Sequence, residues 1–365
     1  MEKVRIPNLL IENIGPFGRL ELNFPEKTIP GKAEIHILTG ENGTGKTTIL
    51  EALASIAPDS IKLNNRARKN TESKTKISFN DHSNIEYKYE NGLYELLSDS
   101  PILSKYRGFL NNQKEIPADF ALLGYSGYRQ VFNAQITGIS EIELQPFQHA
   151  VNFGKSVDPE IILQWIANTI AAKAIAGYQQ DFAEARQREN AILQLETTIS
   201  SIIDKPVKFK LETKPYAVKI EVAGEQLDFS LLPDGLKSII SWISDLLMRM
   251  DRVKWVDDIP VFERNFILFL DEIEVHLHPA WQRKILPVVQ NLFPNAQIFI
   301  STHSPFVIGS VDGAWIHKLV KPNGDSQLAA GYPMLSEDAK SVRYWLDEVF
   351  DIREQYGDQV ERDYR

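Results

Sequence analysis

Cysteine is missing from all 365 residues, so neither a disulfide framework nor a thiolate metal site contributes to this fold. Long apolar runs are missing too. No stretch approaches the roughly 20 consecutive apolar residues that a membrane-spanning helix needs. Charges at Glu2, Lys3 and Arg5 come too early for a secretory leader, and the expectation is a soluble, cytoplasmic protein with no membrane partner. An excess of positive charge is the third absence: 40 Lys and Arg stand against 49 Asp and Glu, a net charge of −9. Such a chain does not coat nucleic acid through its overall field, and any contact of that kind must be a local patch. There is no internal repeat and no low-complexity segment. What remains is an ordinary globular composition, 43% hydrophobic and 24% charged, long enough for one large α/β unit or two lobes sharing a core.

Proline and glycine divide the opening of the chain into three predicted strands, 8–12, 20–24 and 34–38, separated at Pro16, Gly18, Pro25, Pro30 and Gly31. A glycine-rich turn follows the third. Residues 47–57 then carry Ile49, Leu50, Ala52, Leu53 and Ile56 at helical spacing until Pro58. Residues 62–96 read as a polar hairpin region, alternating over 76–80 and 85–89. A helical stretch over 159–203 opens at Asp158 as N-cap and breaks near Gly177. Its last turns set Ile192, Leu195, Ile199 and Ile202 as a seam for one neighbouring helix. Strands return at 207–213 and 217–222, and a helix is expected over 236–250. The run Phe266-Ile267-Leu268-Phe269-Leu270 has the character of a central parallel strand covered on both faces, and 297–300 is another, after a helix over 280–292. Near the end, Val342, Trp345, Leu346, Val349 and Phe350 form the apolar face of a docking helix ahead of a charged tail.

Three segments carry chemistry. Gly40-Glu41-Asn42-Gly43-Thr44-Gly45-Lys46-Thr47 fits G-x-x-x-x-G-K-[ST], with a strand before it and a helix after. Its glycines let backbone N–H groups turn inward around phosphate oxygens, and the following helix aims its partially positive end at the same anion. The nucleotide-binding residues expected are Asn42, Gly43, Thr44, Gly45, Lys46, Thr47 and Thr48. Lys46 would lie along the β- and γ-phosphates of ATP, and the Thr47 hydroxyl would ligate Mg²⁺. Asp271-Glu272 comes directly after the apolar strand, where ligand-facing groups of open parallel sheets gather. Asp271 would hold the metal, usually through water, and Glu272 would polarise the attacking water. Two adjacent acids alone could simply start a turn, but the loop upstream favours the catalytic role. His303, in Ser301-Thr302-His303-Ser304-Pro305, follows the next buried strand, a place for γ-phosphate contact rather than for a structural ring. His276 and His278 would align on a strand but diverge on a helix, and they lack a clear third metal ligand. Lys62, Arg66, Arg68, Lys69, Lys74 and Lys76 surround a single acid, Glu72; the cluster is either a solvated hairpin face or a contact for DNA phosphates.

Five segments in order resemble the ABC-type ATPase head of the SMC, RecF and OLD (overcoming lysogenisation defect) families. They are Leu10-Ile11-Glu12-Asn13-Ile14-Gly15-Pro16-Phe17, the loop at 40–47, Leu232-Pro233-Asp234-Gly235-Leu236-Lys237, Leu270-Asp271-Glu272-Ile273-Glu274-Val275-His276-Leu277-His278-Pro279, and residues 301–305. The resemblance spans nearly the whole chain. It implies an α/β P-loop NTPase head with an N-terminal antiparallel β subdomain, a mainly parallel core sheet and an inserted helical lobe. The implied division is an N-terminal ATPase lobe at 1–150, a helical insertion at 151–205, a C-terminal ATPase lobe at 206–335, and a helix and tail at 336–365. ATP hydrolysis to ADP and phosphate is implied, in a homodimer that sandwiches ATP, with Asp234 and Gly235 acting in trans. Gln130 is the implied further magnesium ligand. Resembling signatures usually carry a serine where this chain has Pro233, which offers no hydroxyl and no N–H; either dimerisation on ATP is weaker here or Ser230 or Ser238 compensates by a shifted geometry. OLD-type proteins carry a Toprim nuclease module, for which about sixty residues after His303 leave no room. The implied effector, such as a nuclease, is therefore separately encoded, in anti-phage defence or DNA repair. In resembling heads the lobe that carries Arg66, Arg68 and Lys69 meets double-stranded DNA. The alternative is a nucleotide-dependent scaffold with little turnover; a transporter subunit is disfavoured by residues 11–17 and 274–279.

Overall fold

The computed structural model describes every residue except 1–2, 58–62, 69–70, 91–92, 111–115, 128–133, 155–156, 321–328, 331, 337–340, 349 and 351–365. Two antiparallel strands open the chain, β1 (Asn8–Ile14) and β2 (Phe17–Asn23), turning at Gly15-Pro16. β3 (Glu34–Gly40) leads through the glycine-rich loop into α1 (Lys46–Leu53). β4 (Ser73–Ser78), β5 (Asn84–Glu90) and β6 (Leu93–Ser98) complete a five-stranded antiparallel sheet in the order β2-β1-β4-β5-β6. Strand alternation sets its faces: Ser73, Thr75 and Ile77 are buried, while Lys74 and Lys76 point outward.

α2 (Pro101–Leu110), β7 (Ala121–Tyr125) and the short β8 (Val151–Asn152) precede a helical hairpin of α3 (Pro159–Tyr178) and α4 (Phe182–Ile203). Asp158 caps α3 by accepting from Glu160 N–H at 2.9 Å, and Asp181 caps α4 by accepting from Glu184 N–H at 3.1 Å. The break expected near Gly177 falls at 179–181 instead. Gln180 takes a left-handed φ of +63° and Asp181 starts the next helix, so a cap sets the boundary and Gly177 stays inside α3. β9 (Val207–Thr213), β10 (Tyr216–Val222) and β11 (Glu225–Asp228) form a small antiparallel sheet. α5 (Asp234–Arg252), β12 (Phe266–Leu270), α6 (Pro279–Leu292), β13 (Ala296–Ser301), the single turn α7 (Pro305–Ile308) and β14 (Trp315–Val320) follow. β15 (Ala329–Ala330), β16 (Met334–Leu335) and α8 (Val342–Glu348) are the last described elements.

The core sheet runs β15-β14-β3-β13-β12-β7-β8, with β16 also beside β14, and every pairing from β14 to β8 is parallel. β3, β7, β12 and β13 are buried at every residue, as a parallel sheet covered on both faces requires. The molecule is thus an α/β P-loop fold with an antiparallel β subdomain, a mainly parallel core sheet and an inserted helical hairpin. The seam residues Ile192, Leu195, Ile199 and Ile202 are buried in α4, which packs against α3, α5 and α6. Trp345 of α8 is buried against Gly309, where a Cβ would come within 2.8 Å of the indole; Val349 lies outside the described residues. Among the described residues no helix is long and apolar enough to cross a membrane.

Candidate functional site

Four adjacent parallel strands, β3, β13, β12 and β7, end on the same edge of the core sheet, and the chemistry-bearing residues follow those ends. After β3 the loop turns through left-handed Gly43 (φ +77°) and Gly45 (φ +89°). Gly45 is required twice over, since a Cβ there would lie 2.5 Å from the Phe17 ring and 2.7 Å from Pro16. The turn between β1 and β2 therefore backs the loop, which gives the residues 16–17 a physical role. Lys46 is 6% exposed, and its Nζ donates to the carbonyls of Gly40 and Glu41, each at 3.0 Å. Burial pushes its pKa down, against the carboxylates of Glu272, Asp271 and Glu274 that hold it up.

Thr47 at the start of α1 donates its hydroxyl to both Asp271 oxygens, at 3.1 and 3.0 Å. Asp271 is held on its other sides by Tyr125, whose carbonyl accepts its N–H at 2.9 Å, and by the Ser301 hydroxyl at the end of β13. Ser301 also accepts the Glu272 N–H at 2.8 Å. Glu272 itself has φ +45°, and its carboxylate lies against Gly127, where a Cβ would come within 2.7 Å of the Glu272 Cβ. His303 is half-buried. Burial first, and then Lys46, lower its pKa, with Asp271 opposing, so the ring is neutral at pH 7. Its backbone N–H donates to Glu274, which also accepts the Thr302 hydroxyl at 2.8 Å. Burial raises the pKa of Glu274 above the usual carboxylate value, against the hydrogen bond from His303 N–H.

The structure brings Lys46, Thr47, Asp271, Glu272 and His303 to one edge, with hard oxygen donors at the mouth of an anion-shaped loop. Asn42 and Gly43 are exposed on the loop's rim and Thr44 donates inward to Glu41 O at 2.8 Å. Thr48, next along α1, is buried, and its hydroxyl accepts from Arg66 at 3.0 Å. Arg66 also donates to Glu51 at 3.0 Å, so it ties α1 to the segment beside the β subdomain while its side chain stays partly exposed. Lys74 pairs with Glu72 at 2.7 Å, Lys88 reaches Glu72 and Glu90, and Arg68 donates to Pro16 O at 3.2 Å. Much of the basic cluster is thereby engaged within the chain. Lys62, Lys69 and Gln130 lie outside the described residues.

Asp234 and Gly235 open α5, whose N-cap, Pro233, supplies no side-chain hydrogen bond. Gly235 packs on the turn after β12, where a Cβ would sit 2.5 Å from His276 O. His278 caps α6, its Nδ1 accepting from Ala280 N–H at 3.2 Å, so that ring serves a helix end. Sequence reasoning missed Ser301, Glu274 and Tyr125. Ser301 had one usable signal, a hydroxyl at the last position of a buried strand; the other two act through contacts that only strand order creates.

A family model described as "AAA domain, putative AbiEii toxin, Type IV TA system" matches residues 35–309, and a second, described as an AAA domain, matches 4–57. The Septu protein PtuA of Bacillus thuringiensis is 26% identical over 329 residues, covering 86% of this chain and 75% of its own. The Retron Vc95 probable ATPase of Vibrio cholerae serotype O1 biovar El Tor is 23% identical over 444 residues, covering 99% and 84%. In fold, the SMC head bound to the C-winged helix domain of ScpA matches with a TM-score of 0.52 at 14% identity, over 90% of this chain and 97% of that one. An SMC head with an extended coiled coil, bound to the C-terminal domain of ScpA derived from Pyrococcus furiosus, gives 0.51 at 12%, over 90% and 96%.

Proposed function

This chain belongs to the AAA-domain family whose model spans residues 35–309, and from that premise we propose that it is an ABC-type ATPase acting as an ATP-dependent dimer. The observation that carries the reading is the meeting of Thr47 and Asp271, 224 residues apart in sequence and 3.0 Å apart in space. A hydroxyl and a carboxylate at the mouth of a glycine-rich loop are the hard oxygen donors that suit Mg²⁺. Bound there, the ion would neutralise charge on the phosphates. Lys46 would exchange its two carbonyl contacts for phosphate oxygens. Glu272 would accept a proton from water as the water oxygen attacks the γ-phosphorus; the bond to the β,γ-bridging oxygen breaks, and ADP and phosphate leave. His303, neutral, would donate one hydrogen bond to a γ-phosphate oxygen. Asp234 and Gly235, at the N-terminus of α5, would meet the nucleotide of a second copy.

The setting that the family resemblance implies is anti-phage defence or DNA repair, with a separately encoded effector such as a nuclease governed by the ATP cycle, and with the division at 150, 205 and 335 marking the lobes. A link to double-stranded DNA would rest on Arg66, Arg68 and Lys69, the first two of which also donate to groups within the chain. Steady-state phosphate release, measured with and without duplex DNA on the chain purified with its chromosomal neighbours, tests the reading. Turnover that Glu272→Gln removes while ATP stays bound supports it. ATP binding without turnover in either condition would overturn hydrolysis and leave the second reading, a nucleotide-dependent scaffold. Pro233 favours that second reading, because it brings no hydroxyl to the γ-phosphate of a partner.

A further inference from the structure

The turn after Glu272 touches the candidate site on one side and the start of α5 on the other. Val275 N–H donates to Glu272 O at 3.1 Å and Leu277 N–H to Glu274 O at 2.9 Å. Two of its residues, Glu272 and His276, hold left-handed φ values of +45° and +65°. Non-glycine residues in that region persist only where the surroundings hold them. On the α5 side the hold is Gly235, whose missing Cβ would stand 2.5 Å from His276 O, so the two backbones meet with no side chain between them to absorb a shift. On the other side it is Glu274, one oxygen accepting the Thr302 hydroxyl at 2.8 Å and the other the His303 N–H. Gln282 of α6 adds a second stitch, donating to Leu277 O at 2.8 Å and accepting the Ser304 hydroxyl.

We infer that Glu274 is a positioning residue that makes His303 answer to the start of α5, by tying the His303 backbone to a turn that rests on Gly235. The inference rests on the proposed role of Gly235 in meeting a partner's nucleotide and deepens it. A phosphate arriving at Gly235 displaces the first turn of α5; the His276 carbonyl follows it, and Glu274 carries the movement to residues 302–303. Each subunit then sets its own histidine for hydrolysis only when its α5 N-terminus is engaged. Both arms of the clasp are hydrogen bonds to one carboxylate, which are short and directional. A glutamine keeps the shape but turns one acceptor into an NH₂ group that faces a donor, so one arm fails.

The test uses Glu274→Gln, Thr302→Val and His303→Ala in this chain, with phosphate release measured over a range of ATP concentrations at saturating Mg²⁺ and binding of a fluorescent ATP analogue. Glu274→Gln should lower kcat about tenfold or more while KM and nucleotide affinity stay within about twofold, the signature of an interaction made at the reacting step. The dependence of rate on ATP should lose steepness. Thr302→Val, which removes one arm and leaves the carboxylate in place, should act in the same direction. In a His303→Ala background Glu274→Gln should cost nothing further, because residues acting as a unit are not additive. Amide exchange at residues 302–303 should quicken in Glu274→Gln. Wild-type kcat, a rise in KM in place of a fall in kcat, or losses that multiply in the double variant would overturn the inference alone. A wild-type chain that releases no phosphate would overturn the proposed function instead, and the clasp would then stand or fall on whether amide exchange at 302–303 changes.

Discussion

At Lys46 a buried ammonium is satisfied by two carbonyl oxygens at 3.0 Å, and those are the contacts that phosphate oxygens would replace. Lys46→Ala removes hydrogen bonds to a charged group, each worth about 1.5–3 kcal/mol, so ATP affinity should fall by at least about tenfold to a hundredfold in a direct titration. Unchanged affinity would remove the loop from the site. Glu272→Gln keeps the size of the side chain and loses its basicity. Phosphate release should drop by about 10²–10⁴, the usual yield of a general base, with ATP still bound; a wild-type rate would put the base elsewhere. The acid limb of the rate should lie below 6.5, the ordinary histidine value, because burial holds the His303 ring neutral to lower pH. These residues were legible in the sequence since each follows a strand end at motif spacing. Glu274 was not, because its contacts arise from β13 lying beside β12, an adjacency that no local pattern encodes, and Ser301 offered only the weak signal of a hydroxyl at the end of a buried strand. The contact of Thr48 with Arg66 was not legible for a related reason: the motif fixes the position of Thr48 along the helix but not that Arg66 would donate to its hydroxyl.

Among the elements, β9 and β12 fall on the residues that alternation and continuous apolarity mark out. β7 was not foreseen. It is five residues long and contains Gly124, which looks like punctuation in sequence; in the sheet it makes room for β8, since a Cβ there would lie 2.9 Å from Val151. Pairing with β12 on one side and β8 on the other decides that segment, not its own propensity. The pairing of β3 with β14 has a testable cost. His36 Nδ1 and His317 Nε2 stand 3.2 Å apart in the core, and burial, foremost, lowers both pKa values below the ordinary 6.5, with Glu34 opposing at His36. The unfolded chain therefore takes up protons first on acidification. The stability of this pair is complete above pH 6.5 and declines as pH falls below it. His317→Phe should flatten the fall in Tm between pH 7 and pH 5; an unchanged slope would place acid sensitivity elsewhere. Arg66 offers a second check at this scale. Arg66→Ala breaks its contacts with Thr48 and Glu51 and should destabilise the β subdomain by about 1–2 kcal/mol. A loss of DNA affinity with an unchanged Tm would return Arg66 to a nucleic-acid role.

For the whole molecule, a net charge of −9 opposes close approach of two copies, so the proposed dimer would need local contacts, the shared nucleotides among them, to offset that repulsion. Glu272→Gln with ATP and Mg²⁺ should double the native mass from 41.5 kDa, and ADP should not; a single-chain mass in ATP would exclude the sandwich. The order of the core sheet also has a consequence in time. β3 is synthesised early, yet both its neighbours come late, Ile35 pairing with Ile298 and Ile37 with Ile316. At about 5–20 residues per second, the strand before the phosphate loop leaves the ribosome roughly ten to fifty seconds ahead of either neighbour. Throughout that interval its edges are open and Ile35, Ile37 and Leu38 have no sheet to enter. A nascent chain stalled before residue 296 would carry the loop's letters without its shape, and would be a client for chaperones before it could be a receptor for nucleotide.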